Sequence, residues 1–195
     1  MGPRYPLGAD VADLPNVERW RPLVNWVLII PHHIWLGLLT LGAWFVSIIS
    51  WFVIVFTGRM PETWSDYLVG VLRYQWRVTC YLYAWTNVYP SFNPVAGHVD
   101  PGDYPAVLYC ARPVERNRVT VFFRAIMAIP QFIAVYFVGI AASVVLLIAW
   151  FAVLITGRWP QGMRDFAIGF VRWQIRLTAY VLLVCDEYPP FSLEQ

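Results

Sequence analysis

The chain is written twice. Thr57-Gly58-Arg59-Met60-Pro61 returns as Thr156-Gly157-Arg158-Trp159-Pro160, an offset of 99 residues (156 less 57). The same offset links Tyr5-Pro6 to Tyr104-Pro105, Pro31 to Pro130, and Trp51-Phe52 to Trp150-Phe151. It also links Arg73-x-Gln75-x-Arg77-x-Thr79-x-Tyr81 to Arg172-x-Gln174-x-Arg176-x-Thr178-x-Tyr180 without a gap. Two copies of one unit, residues 1–99 and 100–195, therefore predict a pseudo-two-fold molecule. Repeats in membrane proteins often place the functional surface between them.

Composition points to a membrane. Hydrophobic residues make up 59% and charged ones 13%, against about 25% charged in an ordinary soluble domain. Residues 125–156 carry no charge, and 26–57 carry only His32 and His33. Each stretch exceeds the roughly 20 residues a spanning helix needs. Proline breaks or kinks a helix, so Pro31 and Pro130 predict a short lead-in helix in each copy, then spans over 33–56 and 132–155. Three early prolines and the lack of an apolar core argue against a signal peptide at the start. Residues 104–111, aromatic and bounded by Pro and Gly, predict a short strand, and 89–103 reads as the linker.

A second helix in each copy is expected over 64–86 and 163–185. Asp66, Arg73, Arg77 and Tyr81, and likewise Asp165, Arg172, Arg176 and Tyr180, fall on one stripe of such a helix. An interfacial helix would carry a wide basic face; this stripe is narrow. Arg facing lipid is costly. The favoured expectation is a spanning or deeply tilted helix with its arginines inward. The fold expected is an all-α membrane protein of two tandem repeats, each a lead-in helix plus a transmembrane hairpin. That gives about four transmembrane helices, with parallel repeats and short extramembrane strand-like segments. The balance of Arg between the two sides predicts cytoplasmic termini.

Pro130, Trp150-Phe151, Thr156-Gly157-Arg158, Arg172, Arg176, Tyr180 and Asp186-x-Tyr188-Pro189-Pro190-Phe191 together resemble a bacterial integral-membrane family catalogued only as a domain of unknown function. Arg118 and Arg124 ahead of Pro130 fit the same pattern. The first copy departs from it: Asn25 replaces the second Arg before the span, Asn87 the Asp, and Ser91 the second Pro. The resemblance covers nearly the whole chain. It implies a multi-pass protein of the bacterial inner membrane and assigns no activity.

Candidate sites rest on the residues. Arg73/Arg77 and Arg172/Arg176 place like charges one turn apart, which repel unless compensated. With Tyr81 and Tyr180 they are candidates for an anionic ligand or lipid head group, since guanidinium binds phosphate bidentately. The competing account is internal pairing with Asp66, Asp165, Asp186 or Glu187, or with backbone carbonyls. Thr57, Gly58, Arg59 and Pro61, and Thr156, Gly157, Arg158 and Pro160, read as hairpin turns with glycine ending a helix. His32 and His33 are weaker metal candidates, more simply read as interfacial polar groups. Cys80, Cys110 and Cys185 show no paired spacing. No catalytic motif and no cofactor signature is found. The leading expectation is a non-enzymatic accessory, scaffold or regulatory subunit of a membrane assembly. The alternative is an anionic-lipid or amphiphile binder with an Arg-lined groove between the repeats. A third class is a redox subunit using His32 or His33. Membrane lipids and other membrane subunits are the expected partners; nucleic acid is not, because no basic soluble surface accompanies the aromatics.

Overall fold

A computed structural model describes residues 5–14, 16–113 and 116–194. Its elements are β1 (Leu7–Val11), α1 (Arg21–Leu28), α2 (Ile30–Thr57), α3 (Glu62–Leu82), β2 (Ala106–Cys110), α4 (Arg118–Thr156) and α5 (Gln161–Val181). The first copy supplies β1 to α3, and the second supplies β2 to α5.

Within each copy the second helix returns along the first. Asn25 donates to the Tyr81 carbonyl, His32 hydrogen-bonds the Tyr74 hydroxyl, and the Tyr67 hydroxyl donates to Leu39. Seven residues forward on α1–α2 is seven residues back on α3. The other copy repeats the step, with Arg124 meeting Tyr180 and Gln131 meeting Trp173. Both helices are capped by the same turn. Gly58 and Gly157 sit at φ 77° and 70°, the left-handed region glycine enters without steric cost. The Thr57 and Thr156 hydroxyls donate back to Val53 and Ala152.

The two copies face each other head to tail. The Trp51 indole donates to Val121, and the equivalent Trp150 indole donates to Pro22. The end of α2 thus meets the start of α4, and the end of α4 meets α1. The long helices are antiparallel, which overturns the expected parallel repeats. The pseudo-two-fold also organises the sheet. Strands β1 and β2 pair antiparallel with Leu7 opposite Cys110 and Val11 opposite Ala106. At the centre Ala9 faces Leu108, and these two residues are equivalents under the 99-residue offset. Neither copy owns the sheet alone.

Three layers result. On the outside, α1–α2 and α4 contribute one inward stripe each: His32, Leu39, Ala43, Ser47, Ser50 and Ile54 on α2 are buried. The middle layer, α3 and α5, is buried along most of its length. The sheet and the connecting segments cover its other side. The middle helices therefore work as core, and their arginines face the third layer.

Helices Ile30–Thr57 and Arg118–Thr156 are long and apolar enough to cross a membrane, and only 28% and 17% of their most apolar windows is buried. Two boundaries differ from expectation. Pro130 lies inside a continuous 39-residue helix instead of separating a lead-in helix from a span. Proline removes one donor, a loss that the remaining ladder on both sides absorbs here. In the first copy the break does occur, between α1 and α2 at Ile29. The second helices stop at Leu82 and Val181, because the next turn bends into left-handed residues Ala84 and Leu183, at φ 55° and 64°.

Candidate functional site

The arginine stripes are met by the protein itself. Arg73, 1% exposed, donates from Nε to Asp100 and Leu108, and from its terminal nitrogens to Val95, Gly97 and Leu108. Arg77 pairs with Asp100 and Asp103. Arg172 takes Asp10 and the Ala9 carbonyl, and Arg176 takes the carbonyls of Ser192 and Glu194. Arg73 and Arg172 thus hold the carbonyls of Leu108 and Ala9, the two central residues of the sheet. Burial alone would raise the Asp100 carboxyl. The N–H groups of Leu108 and Gly102, then the charges of Arg73 and Arg77, more than offset that, and its pKa lies below the ordinary carboxylate value.

These arginines line the contact between the middle and third layers, and Arg172 also borders an open cavity of about 460 Å³ with Asp13, Arg164 and Asp165. Tyr81 and Tyr180 are buried beside them, and the Tyr180 ring carries the Arg124 guanidinium 4.5 Å from its centroid. The acidic partners Asp10, Asp100 and Asp103 lie in β1 and the linker, where no helical periodicity pointed to them.

A second charged cluster exists in one copy only. Asp186 accepts from Arg116 and Arg124, and Arg124 also donates to Tyr180 and Cys185. The equivalents in the first copy are Val17, Asn25 and Asn87. All three charged groups are absent there together, so the first copy buries neither the arginines nor the carboxylate at these positions. Arg116 escaped the sequence reading because its role depends on this non-local neighbour.

His32 is fully buried in an aromatic box: stacked on Phe92 at 4.0 Å, edge-on to Tyr89 at 4.8 Å, and bonded to Tyr74. His33 Nδ1 lies 3.1 Å from the Ile29 carbonyl. Among the described residues, no three His, Cys, Asp or Glu side chains stand close enough to share a metal ion. The Cys110 and Cys185 sulfurs are 3.4 Å apart and buried. The Cys185 thiol lowers the Cys110 pKa against the opposing effect of burial, with His98 assisting.

The turn residues interlock the copies. The Gly58 carbonyl accepts from Arg116 N–H, and the Gly157 carbonyl from Val17 N–H. Beside each turn the antiparallel helices leave a cavity, and the two differ. One, of about 80 Å³, is bounded by Pro22, Tyr83, Ala84, Trp150 and Trp159. Its counterpart, of about 360 Å³, is bounded by Trp44, Ser47, Trp51, Val121, Arg124 and Leu183, among others. The Trp159 indole donates to the Tyr83 carbonyl. In the equivalent place stand Met60 and Leu182, and the Leu182 carbonyl is met by Ser47 instead.

No curated protein and no solved structure matches this chain. The model of one family, Domain of unknown function (DUF4389), matches residues 19–93 and again 118–192. Each match covers one copy from its lead-in segment to the end of the segment behind its second helix, and together they span most of the chain. The chain belongs to the DUF4389 family, of which it carries two tandem copies.

Proposed function

We propose that this is a non-enzymatic protein of the bacterial inner membrane whose long helices lie along the bilayer plane, and that it serves as an accessory or scaffold subunit. The observation that carries this is the length of the apolar face. On α4, exposed apolar side chains run from Val119 (65% exposed) to Ile155 (68%), about 54 Å at about 1.5 Å per residue. On α1–α2 they run from Leu23 to Phe56. A hydrocarbon core is about 30 Å thick, so an upright helix would push almost half of this face into water.

Charge placement argues the same way. Tyr67 reaches Leu39, the midpoint of the run from Arg21 to Thr57. The neighbouring Asp66 and Glu62 pair with Arg112, and Glu62 is 79% exposed. An upright molecule would hold these charges at mid-bilayer, at about 2.5–3.5 kcal/mol each on insertion scales. Lying flat, the molecule sinks α1–α2 and α4 into one leaflet and keeps the sheet layer in water. Exposed Arg19, Arg59, Arg118 and Arg158 then ring the face at the depth of anionic head groups, which favours the cytoplasmic leaflet.

Single cysteines at Glu62 and Asp103 test the arrangement with a membrane-impermeant maleimide, since the native cysteines are buried. Both positions label from the same side in the flat arrangement. In an upright arrangement Glu62 would lie within the bilayer and escape the label, which would sink the proposal. The accessory role is read by mild purification. A stoichiometric partner should be retained by the native chain and released by the charge reversals Glu62→Arg and Arg112→Glu on the watery layer. Recovery of the chain alone from native membranes would remove that role.

The arginines of the middle helices are spent internally, so the lipid-binding alternative is better carried by the apolar face and its rim of Arg19, Arg59, Arg118 and Arg158.

A further inference from the structure

We infer that the larger cavity, between the end of α2 and the start of α4, is a binding site for one acyl chain of an anionic phospholipid. This rests on the flat arrangement for its access to lipid, and on independent geometry for its shape.

The pseudo-symmetry supplies an internal control. Both ends of the molecule build the same cleft with the same indole-to-carbonyl hydrogen bonds, Trp51 to Val121 and Trp150 to Pro22. At one end the cleft is filled by the protein: Trp159 and Tyr83 line it and leave about 80 Å³. At the other, Met60 and Leu182 stand in their places, and about 360 Å³ remains. That volume would hold about a dozen waters at about 30 Å³ each. Its wall is wrong for water. Trp44, Ile48, Trp51, Phe52, Val121, Ala125, Val181 and Leu183 are apolar, and Ser47 and Arg124 are the polar exceptions. The Ser47 hydroxyl is already engaged with Leu182. An open apolar pocket of this size leaves its wall without dispersion partners on one side. A hydrocarbon chain restores them, and Ile48 and Phe52 at the edge of the wall are themselves exposed on the apolar face.

The charge at this end selects the head group. Arg116 and Arg124 both pair with the single carboxylate of Asp186, which leaves one buried positive charge over. The guanidinium of Arg118 lies against Gly58 at this end as the Arg19 side chain lies against Gly157 at the other, so both ends carry that surface charge. At the filled end the positions of Arg116 and Arg124 are Val17 and Asn25. The open cavity therefore coincides with the end that carries the additional buried arginines. An acyl chain held between Trp44 and Val121 would bring its phosphate to Arg118 and Arg59.

The test copies one end onto the other. Met60→Trp should occupy the cavity as Trp159 occupies its counterpart. The full chain is delipidated in detergent, supplied with phosphatidylglycerol, and examined by native mass spectrometry. The native protein should retain one phosphatidylglycerol, and Met60→Trp should retain at least tenfold less while melting at a similar temperature. Should Met60→Trp fail to fold, Ser47→Leu, which copies Leu146 from the other copy, fills the same space. Equal retention by the filled and native forms would overturn the site. Equal retention of phosphatidylcholine would overturn the anionic selection. Because the measurement uses micelles, it does not depend on how the helices lie in a bilayer. Protection of position 62 from the maleimide would overturn the flat arrangement alone.

Discussion

Arg73 shows how a charge can be indispensable without touching a ligand. Its guanidinium gathers Asp100 and three carbonyls of the third layer, two from the linker and one from the central strand residue Leu108. Asp100 in turn accepts from Leu108 and Gly102. Its folded-state pKa lies below that of the unfolded chain, near 3.9. The ionised carboxylate is therefore the form the fold favours. That contribution is complete above about pH 4 and fades as pH falls through the lower, folded-state value. Melting temperatures between pH 2 and 6 should fall more steeply for the native chain than for Asp100→Asn, whose plateau should start lower. The spacing of Arg73, Arg77, Arg172 and Arg176 was legible as a stripe needing compensation. What compensates it was not, because the partners are mostly backbone carbonyls and linker carboxylates brought near only by the fold.

At the scale of elements, the two copies are one design with two solutions. Val17, Asn25 and Asn87 in the first copy stand where Arg116, Arg124 and Asp186 stand in the second. Removing one member of a buried charge set costs about 3–5 kcal/mol, so Asp186→Asn should lower stability by that order. The triple variant Arg116→Val, Arg124→Asn, Asp186→Asn reproduces the first copy's arrangement and should recover most of the loss, as read by thermal melting in detergent. Failure of the triple variant to recover would mean that the uncharged set depends on other residues of its own copy. Among the elements, the long apolar helices and the hairpin turns were readable, because composition and glycine stops are local signals. The continuity of α4 through Pro130 was not, since a proline's effect depends on what surrounds it. Strand β2 was expected; β1 was not, because five residues with a glycine at the second position carry little pattern of their own.

At the scale of the whole molecule, the repeat predicted a two-fold but not its direction. That direction is set by the pairing of Trp51 with Val121 and of Trp150 with Pro22, contacts between distant parts of the chain. The same two-fold distributes the interface over both turns, the clefts beside them and the sheet, so each half presents a complete complementary surface. Residues 1–99 and 100–195, co-expressed as separate chains, should copurify as a one-to-one complex that melts in a single transition. Two independent transitions would show that the linker, and not the shared surface, holds the halves together.

The sheet carries this further. Each copy brings a single strand whose ladder groups can be met only by its equivalent, centred on Ala9 and Leu108. A strand left alone offers unpaired donors and acceptors to whatever passes. The unit of this fold is therefore incomplete alone, and the two copies stand to each other as the subunits of a two-fold dimer would. A protein made of one such unit would complete its sheet with a second identical chain. Only fusion lets one end close its cleft with tryptophan while the other stays open, an asymmetry that two identical chains could never hold.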